Sequence, residues 1–221
     1  MNKYNIIKLT DVVSTNTYVL SLNSNAIFKE GLVVVSDYQH KGKGQRGSVW
    51  ESEAGKNLII SILIEPNISI ARQFDIIKIA TISVLDLLCE IGVRAKIKWP
   101  NDILIDDSKV AGVLIDNRIS SGIVAYSVMG IGLNVNQVLF NDYSPKATSL
   151  KIELNKGFSL EIIMDKLLIN LQKRIADYRL GNNLDSEYLD ALFQKDMLST
   201  FESYSQKFTG IIRGVNDRGM L

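Results

Sequence analysis

The chain has 221 residues and a formal net charge of +1, from 25 Lys and Arg against 24 Asp and Glu. So even a balance removes any global electrostatic case for nucleic acid or an anionic membrane, and leaves only a local basic site open. Hydrophobic residues at 46% and charged residues at 22% exclude disorder over most of the chain. The length fits one large domain, or one domain with a small appendage. The lone cysteine, Cys89, excludes an intrachain disulfide and zinc held by several thiolates, and fits a reducing, cytoplasmic setting. Residues 1–9 lack the apolar region of a signal peptide. The longest apolar run, 58–64, is interrupted by Ser61 and ends at Glu65-Pro66, far short of the ~20 residues a membrane helix needs.

In chain order, residues 4–9 read as a strand, and Ser14-Thr15-Asn16, all good N-caps, open a short helix. Strands follow at 32–35 and 58–64. Phe74, Ile77, Ala80, Val84, Leu87, Leu88 and Ile91 recur at helical spacing until Gly92. Short strands at 97–99, 103–105, 110–115 and 123–128 come next. Turns at Asp106-Asp107-Ser108 and Asp116-Asn117-Arg118 are expected between the later ones. Connections that short join antiparallel neighbours, so 103–128 reads as an antiparallel meander. A second helical stripe runs from Leu160 to Tyr178, capped by Ser159 and stopped by Gly181-Asn182-Asn183. A third helix is expected over 185–194. Beyond Asp196 the texture changes: 208–213 looks like a new strand, followed by a turn at 216–219. A strand and a turn make no core, so this tail must pack on the main body or belong to a shortened domain. Strands in blocks and then helices in blocks argue for an α+β fold with a mixed, largely antiparallel sheet and flanking helices.

Three clusters carry chemistry. Gly42-Lys43-Gly44-Gln45-Arg46-Gly47 satisfies the spacing of a dinucleotide fingerprint, but residues 48–55 have no helical period, and that fingerprint needs its last glycine to open a helix. Three glycines between strands suit a flexible loop whose N–H groups reach an anion, with Lys41, Lys43 and Arg46 adding positive charge. A phosphate or carboxylate cradle and a solvated basic turn both remain open on this segment. Trp50 is either a lid or stacking platform for a base, or a core residue. His40, the sole histidine, reads as a surface loop residue.

The second cluster is Lys98-Trp99-Pro100-Asn101-Asp102 with Lys109-Val110-Ala111-Gly112. Pro100 ends a strand and presents Asn101 and Asp102 at a corner. Lys109 can point back to that corner, or pair at the surface with Asp106 and Asp107. Gly112 permits close approach of a ligand or neighbouring backbone. The third cluster is Gly130-Ile131-Gly132-Leu133-Asn134. Glycines weaken a strand unless something must come close, and Asn134 is its polar hand.

In this order the clusters, with Ser14-Thr15-Asn16 and Tyr38-Gln39, resemble the biotin protein ligase family over residues 14–134. Ala147-Thr148-Ser149-Leu150 adds to the likeness. The resemblance implies a catalytic domain similar to class II synthetases and lipoyl ligases, here 1–195. A small SH3-like domain would follow, partial at 196–221 and cut off after Gly219. It implies ATP-dependent activation of biotin to biotinyl-5′-AMP with Mg²⁺, then transfer to a lysine of a biotin carboxyl carrier domain. Catalytic roles are implied for Lys109, Arg46 and Asp102. Biotin contacts are implied for Ser14, Thr15, Asn16, Gln39, Gly42, Lys43, Gly44, Lys109, Gly112 and Gly130. ATP contacts are implied for Arg46, Gly47, Trp50, Asn101, Lys109 and Asn134. No metal-ligand set is assigned.

The family's loop is often G-R-G-R-R-G-R; Lys43, Gln45, Arg46 and Ser48 stand at its arginine positions, and the adenylate-retaining Arg role does not carry over to Gln45. No helix-turn-helix precedes Tyr4, so the monofunctional type without repressor activity is expected. No nucleic acid or membrane partner is expected, and the protein would be a monomer or homodimer. The chemistry suits a chain with one Cys and one His, because biotin's own carboxylate is the first nucleophile. A lipoate or octanoate ligase on the same scaffold and a non-catalytic biotin- or nucleotide-binding regulator are the alternatives.

Overall fold

A computed structural model describes residues 4–203 and 206–221, apart from the side chains of Arg46 and Ser203. The chain opens with β1 (Asn5–Val12), α1 (Thr15–Ser21) and β2 (Leu32–Gln39). β1 and β2 pair in parallel, as a helical crossover allows. After the glycine loop come β3 (Leu58–Ile64), the two-residue β4 (Ile68–Ser69) and α2 (Phe74–Glu90). β5 (Lys96–Lys98), β6 (Asp102–Ile105), β7 (Ser108–Ser120) and β8 (Ile123–Leu133) form the antiparallel meander. Helices α3 (Leu150–Leu154), α4 (Leu160–Arg179) and α5 (Asp185–Asp190) follow, then β9 (Leu198–Ser203) and β10 (Gln206–Ile211). The main sheet has the order β1-β2-β3-β8-β7-β6-β5, with β4 added beside β8; β9 and β10 form a separate two-stranded sheet.

The strand β3 is buried at every position, so its apolar run shows no alternation. Ile60, Ile62 and Ile64 meet α2 and α4 in the main core on one face. Leu63, with Val34 and Val128, packs against Val19 of α1 on the other. Because α1 is short, it covers only part of that second face. The rest is left for a cleft.

Two expectations are corrected. Residues Asp116, Asn117 and Arg118 lie inside β7, paired with Val128, Ser127 and Tyr126. The chain reverses instead at Ser121-Gly122, both at positive φ (49° and 77°), the backbone that a two-residue hairpin needs to match strand twist. The third helix stops at Asp190, before the expected Gln194; Gln194 and Asp196 both adopt positive φ, which breaks helical geometry.

The helix ends follow the expected chemistry. Ser159 accepts the amide of Ile162 at the start of α4, and Gly181 ends it at φ 91°. The tail gains a second strand, β9, and docks on the body. Lys195 bridges Ile212, and the Trp99 indole donates to the Gly219 carbonyl at 2.8 Å. Gly219 is at φ 80°, and a Cβ there would fall 2.2 Å from the Phe74 ring. Among the described residues, no helix is long and apolar enough to cross a membrane.

Candidate active site

The cleft beside α1 has a volume of about 300 Å³ and collects residues from all three sequence clusters. One wall is polar. Ser14, Thr15 and Asn16, at the start of α1, are nearly fully buried. Gln39, at the end of β2, accepts the Thr15 backbone amide at 2.8 Å, with the Thr15 hydroxyl 3.1 Å away. Ser14 occupies the N-cap position but makes no capping bond through its side chain, which leaves its hydroxyl free of that duty.

The floor is made by β7 and β8, where glycines stand opposite two inward side chains. A Cβ on Gly130 would lie 2.4 Å from Asn16 Oδ1, and one on Gly132 would lie 2.4 Å from the Trp50 ring. These glycines yield room to the protein's own Asn16 and Trp50. Gly112 likewise faces Trp50 and Lys109.

Lys109 stands at the centre. Residues 146–148 run alongside its backbone, which donates to Lys146 and accepts from Thr148 at 2.7 and 2.9 Å. Its ammonium is 2.7 Å from Asp102 Oδ1 and 5.6 Å from the centre of the Trp50 ring. The pairing is with Asp102, not with Asp106 or Asp107. Pro100 ends β5, as expected, and the corner after it puts Asn101 and Asp102 on the cleft. Buried Asn101 donates to Val113 O at 2.5 Å, and Tyr188 from α5 donates to Pro100 O at 2.9 Å. Burial pushes the Tyr188 hydroxyl well above the usual tyrosine range.

The glycine loop closes one side of the cleft with a small hairpin of its own. Lys43 bridges Val49, Gly44 N donates to Ser48 O, and Trp50 N donates to Gly42 O. Gly42 is buried against the Trp50 carbonyl, where a Cβ would come within 2.3 Å. Lys43, Gly44, Gln45 and Ser48 line the cleft, and Lys43 Nζ reaches Thr17 at 3.2 Å. Gly47 sits at φ 81° with open space around it. A single 3₁₀ turn, Gln45–Gly47, replaces the helix that a dinucleotide fingerprint requires. The Arg46 side chain lies outside the described residues. His40 is exposed, 3.7 Å from Asp11. Asn134 does not line the cleft; it is buried and donates to Thr148 O at 2.9 Å.

Among the described residues three buried side-chain polar atoms lack partners: Trp50 Nε1, Ser52 Oγ and Asn134 Oδ1. A buried donor or acceptor left unsatisfied costs about 1–3 kcal/mol; of the three only Trp50 lines the cleft, where its N–H can serve an incoming acceptor. No group of three or more His, Cys, Asp or Glu able to hold a metal ion occurs among the described residues.

Sequence reasoning missed two polar residues beneath the wall. Ser61, wholly buried, lies 2.7 Å from Thr15 Oγ1 and 2.6 Å from Asn16 Oδ1. Asp116 accepts from Asn16 Nδ2 at 2.7 Å. The signal for Ser61 was its interruption of an otherwise apolar strand. Asp116 carried none, because Asp-Asn-Arg is equally good as a turn.

The sequence pattern of the biotin/lipoate A/B protein ligase family matches residues 9–134. The bifunctional ligase/repressor BirA of Bacillus subtilis is 30% identical over 173 residues, covering 76% of this chain and 53% of that protein. The biotin–[acetyl-CoA-carboxylase] ligase of Mycobacterium tuberculosis is 28% identical over 218 residues, covering 94% and 79%. The chain thus spans about half the length of the first of these relatives. The biotin protein ligase of Aquifex aeolicus, solved with biotin and ATP, superposes with a TM-score of 0.78 at 25% identity, covering 97% of this chain and 89% of that one. The mixed sheet, the ordered clusters on its open face and the match across 9–134 together make this chain a member of the biotin/lipoate A/B protein ligase family.

Proposed function

We propose that the chain is a biotin protein ligase that uses ATP to make biotinyl-5′-AMP and passes the biotinyl group to a lysine of a biotin carboxyl carrier domain. The observation that carries this reading is the position of Lys109. It lines one cleft together with an uncharged, hydrogen-bonding wall, and its ammonium lies 5.6 Å from the centre of the Trp50 ring. Such a cleft suits a ligand with a neutral polar head and an anionic tail, next to a nucleotide.

In the first step the biotin carboxylate oxygen bonds to the α-phosphorus of ATP as the bond to pyrophosphate breaks. The carboxylate is already ionised at neutral pH, so no enzymic base is needed. The obstacle is repulsion: two unit charges at 4 Å interact by about 4 kcal/mol at an effective dielectric of ~20. Lys109 offsets that repulsion, and its charge matters most as the phosphate oxygens gather charge. Arg46 and the loop amides are assigned the same task. Ser14, Thr15 and Gln39 hold the ureido ring, with Gly42, Lys43 and Gly44 of the loop over it. Trp50, Asn101 and Gly47 flank the nucleotide, and Asn134 supports that side from behind.

In the second step the carrier lysine attacks the acyl carbon, the acyl–phosphate bond breaks and AMP leaves. A free lysine has a pKa of ~10.4, so its amine must shed a proton. Asp102 is the carboxylate placed to orient that amine or accept the proton. Among the described residues it is also the one carboxylate lining the cleft, and Lys109 already holds it, so the fit is to Mg²⁺ arriving on the ATP phosphates. There it would neutralise the departing pyrophosphate.

We assign residues 1–195 to catalysis and 196–221 to an appended SH3-like segment, which the separate β9–β10 sheet supports. Pyrophosphate release from ATP with biotin, followed by transfer of radiolabelled biotin to a carrier domain, tests the reading. Release with lipoate or octanoate and not with biotin would overturn it, and so would biotin binding without ATP turnover.

A further inference from the structure

The polar wall is held by a chain of side chains that runs under α1 and ends at Asp116. Asn16 Nδ2 lies 2.7 Å from Asp116 Oδ2 and 3.4 Å from Leu114 O. A carboxylate only accepts, so the Asn16 amide must turn its NH₂ toward β7. Its Oδ1 then faces Ser61 at 2.6 Å and can only accept. The single Ser61 proton is spent on that bond. The 2.7 Å contact between Ser61 and Thr15 therefore needs the Thr15 hydroxyl as donor. With that proton turned to Ser61, the shorter contact, and away from Gln39 Oε1 at 3.1 Å, Thr15 is held to Gln39 by its backbone amide at 2.8 Å. Thr15 Oγ1 keeps a lone pair for the cleft, and Gln39 keeps its NH₂.

We propose that Asp116 is a positioning residue that sets the donor and acceptor pattern of the biotin wall, acting through Asn16 and Ser61. The inference rests on the ligase reading given above. The consequence is a Thr15 oxygen that must accept from the ligand, which suits a ring N–H such as a urea carries. Without an acceptor at position 116 the Asn16 amide is free to flip. Ser61 and Thr15 then lose their fixed order. Gly130 belongs to the same device, since any Cβ there would collide with Asn16. The nucleotide side shares none of these bonds, so the effect is confined to one substrate.

The test compares Asp116→Leu, which keeps the size and removes the acceptor, with Asp116→Asn, which keeps an acceptor oxygen. Asp116→Leu raises the KM for biotin by about tenfold, as expected for loss of a charge-assisted hydrogen bond, while kcat and the KM for ATP stay within about twofold. Asp116→Asn restores the biotin KM to near the wild-type value. Ser61→Ala reproduces the Asp116→Leu effect, and the double variant is little worse than either single one, because both break the same chain. If Asp116→Leu folds poorly, Asp116→Asn and Ser61→Ala decide the matter. An unchanged biotin KM in Asp116→Leu, an equal rise for ATP, or an Asp116→Asn as impaired as Asp116→Leu overturns the proposal while leaving the ligase reading standing. A wild-type protein that neither binds biotin nor releases pyrophosphate with it overturns both.

Discussion

Lys109 and Asp102 meet across the β6–β7 hairpin, ammonium to carboxylate at 2.7 Å, each about one quarter exposed. The two groups proposed for the two chemical steps are thus partners in the free protein. Asp102 keeps the ammonium from turning to solvent, and an incoming phosphate must share or replace it. Lys109→Ala is expected to slow adenylate formation by about 10²-fold or more, the scale seen when a preorganised charge facing a transition state is removed. Thermal unfolding should barely move, because a partly exposed ion pair adds at most about 1 kcal/mol. Wild-type pyrophosphate release from Lys109→Ala would refute the assignment.

Asp102→Asn separates the steps. It leaves Lys109 charged, so adenylate formation should persist. Transfer to the carrier lysine should slow and should shift its pH dependence upward, since the amine must then lose its proton without help. Single-turnover transfer from preformed biotinyl-5′-AMP, followed against pH, measures this. Equal loss in both steps would place Asp102 in support of Lys109 alone.

Gly132→Ala puts a methyl 2.4 Å from the Trp50 ring. The indole has to move, and with it the cation–π contact to Lys109, worth about 0.5–1 kcal/mol when exposed. The expected outcome is a raised KM for ATP with little change for biotin, together with altered tryptophan emission in a Trp99→Phe background. Unchanged ATP kinetics would show that Trp50 is only a packing residue.

Gly219→Ala tests whether the tail belongs to the body. It combines a positive φ with a clash against Phe74, so a loss above about 1 kcal/mol is expected. Amide exchange should rise over 216–221 and at Trp99, whose indole proton loses its acceptor. Undiminished protection at Trp99 would contradict the docking.

Alkaline pH should destabilise the fold through its tyrosines. Burial, with Glu30 adding to it, pushes Tyr4 up to about 12, and burial with the Asp75 hydrogen bond pushes Tyr178 to about 12. Tyr188 is raised further by burial alone. In each case the unfolded chain loses the proton first. Their stabilising contribution is therefore complete below pH 10 and is lost as pH rises through 12. Absorbance at 295 nm should show part of the tyrosine signal only on unfolding. Titration of every tyrosine near pH 10 in the folded protein would deny this.

The sequence carried the local features by itself. Ser159 and Gly181 bounded α4, Gly92 bounded α2, and the apolar run 58–64 matched β3 residue for residue, because caps, turns and periodicity are set by neighbours in the chain. The Asp106-Asp107-Ser108 turn let Lys109 point back to the Asp102 corner but left pairing with Asp106 or Asp107 equally open, and the fold decided for Asp102. Tertiary structure alone decided the rest. Asp116-Asn117-Arg118 has turn chemistry, yet pairing with β8 across many backbone hydrogen bonds outweighs that preference and carries the strand on to Ser121-Gly122. The partners of Asn16 lie 45 and 100 residues away, so no local pattern could show that its amide is already engaged. The glycines of β8 signalled that something approaches. Which side chains do so was settled only when α1 and the glycine loop folded over the same face of the sheet.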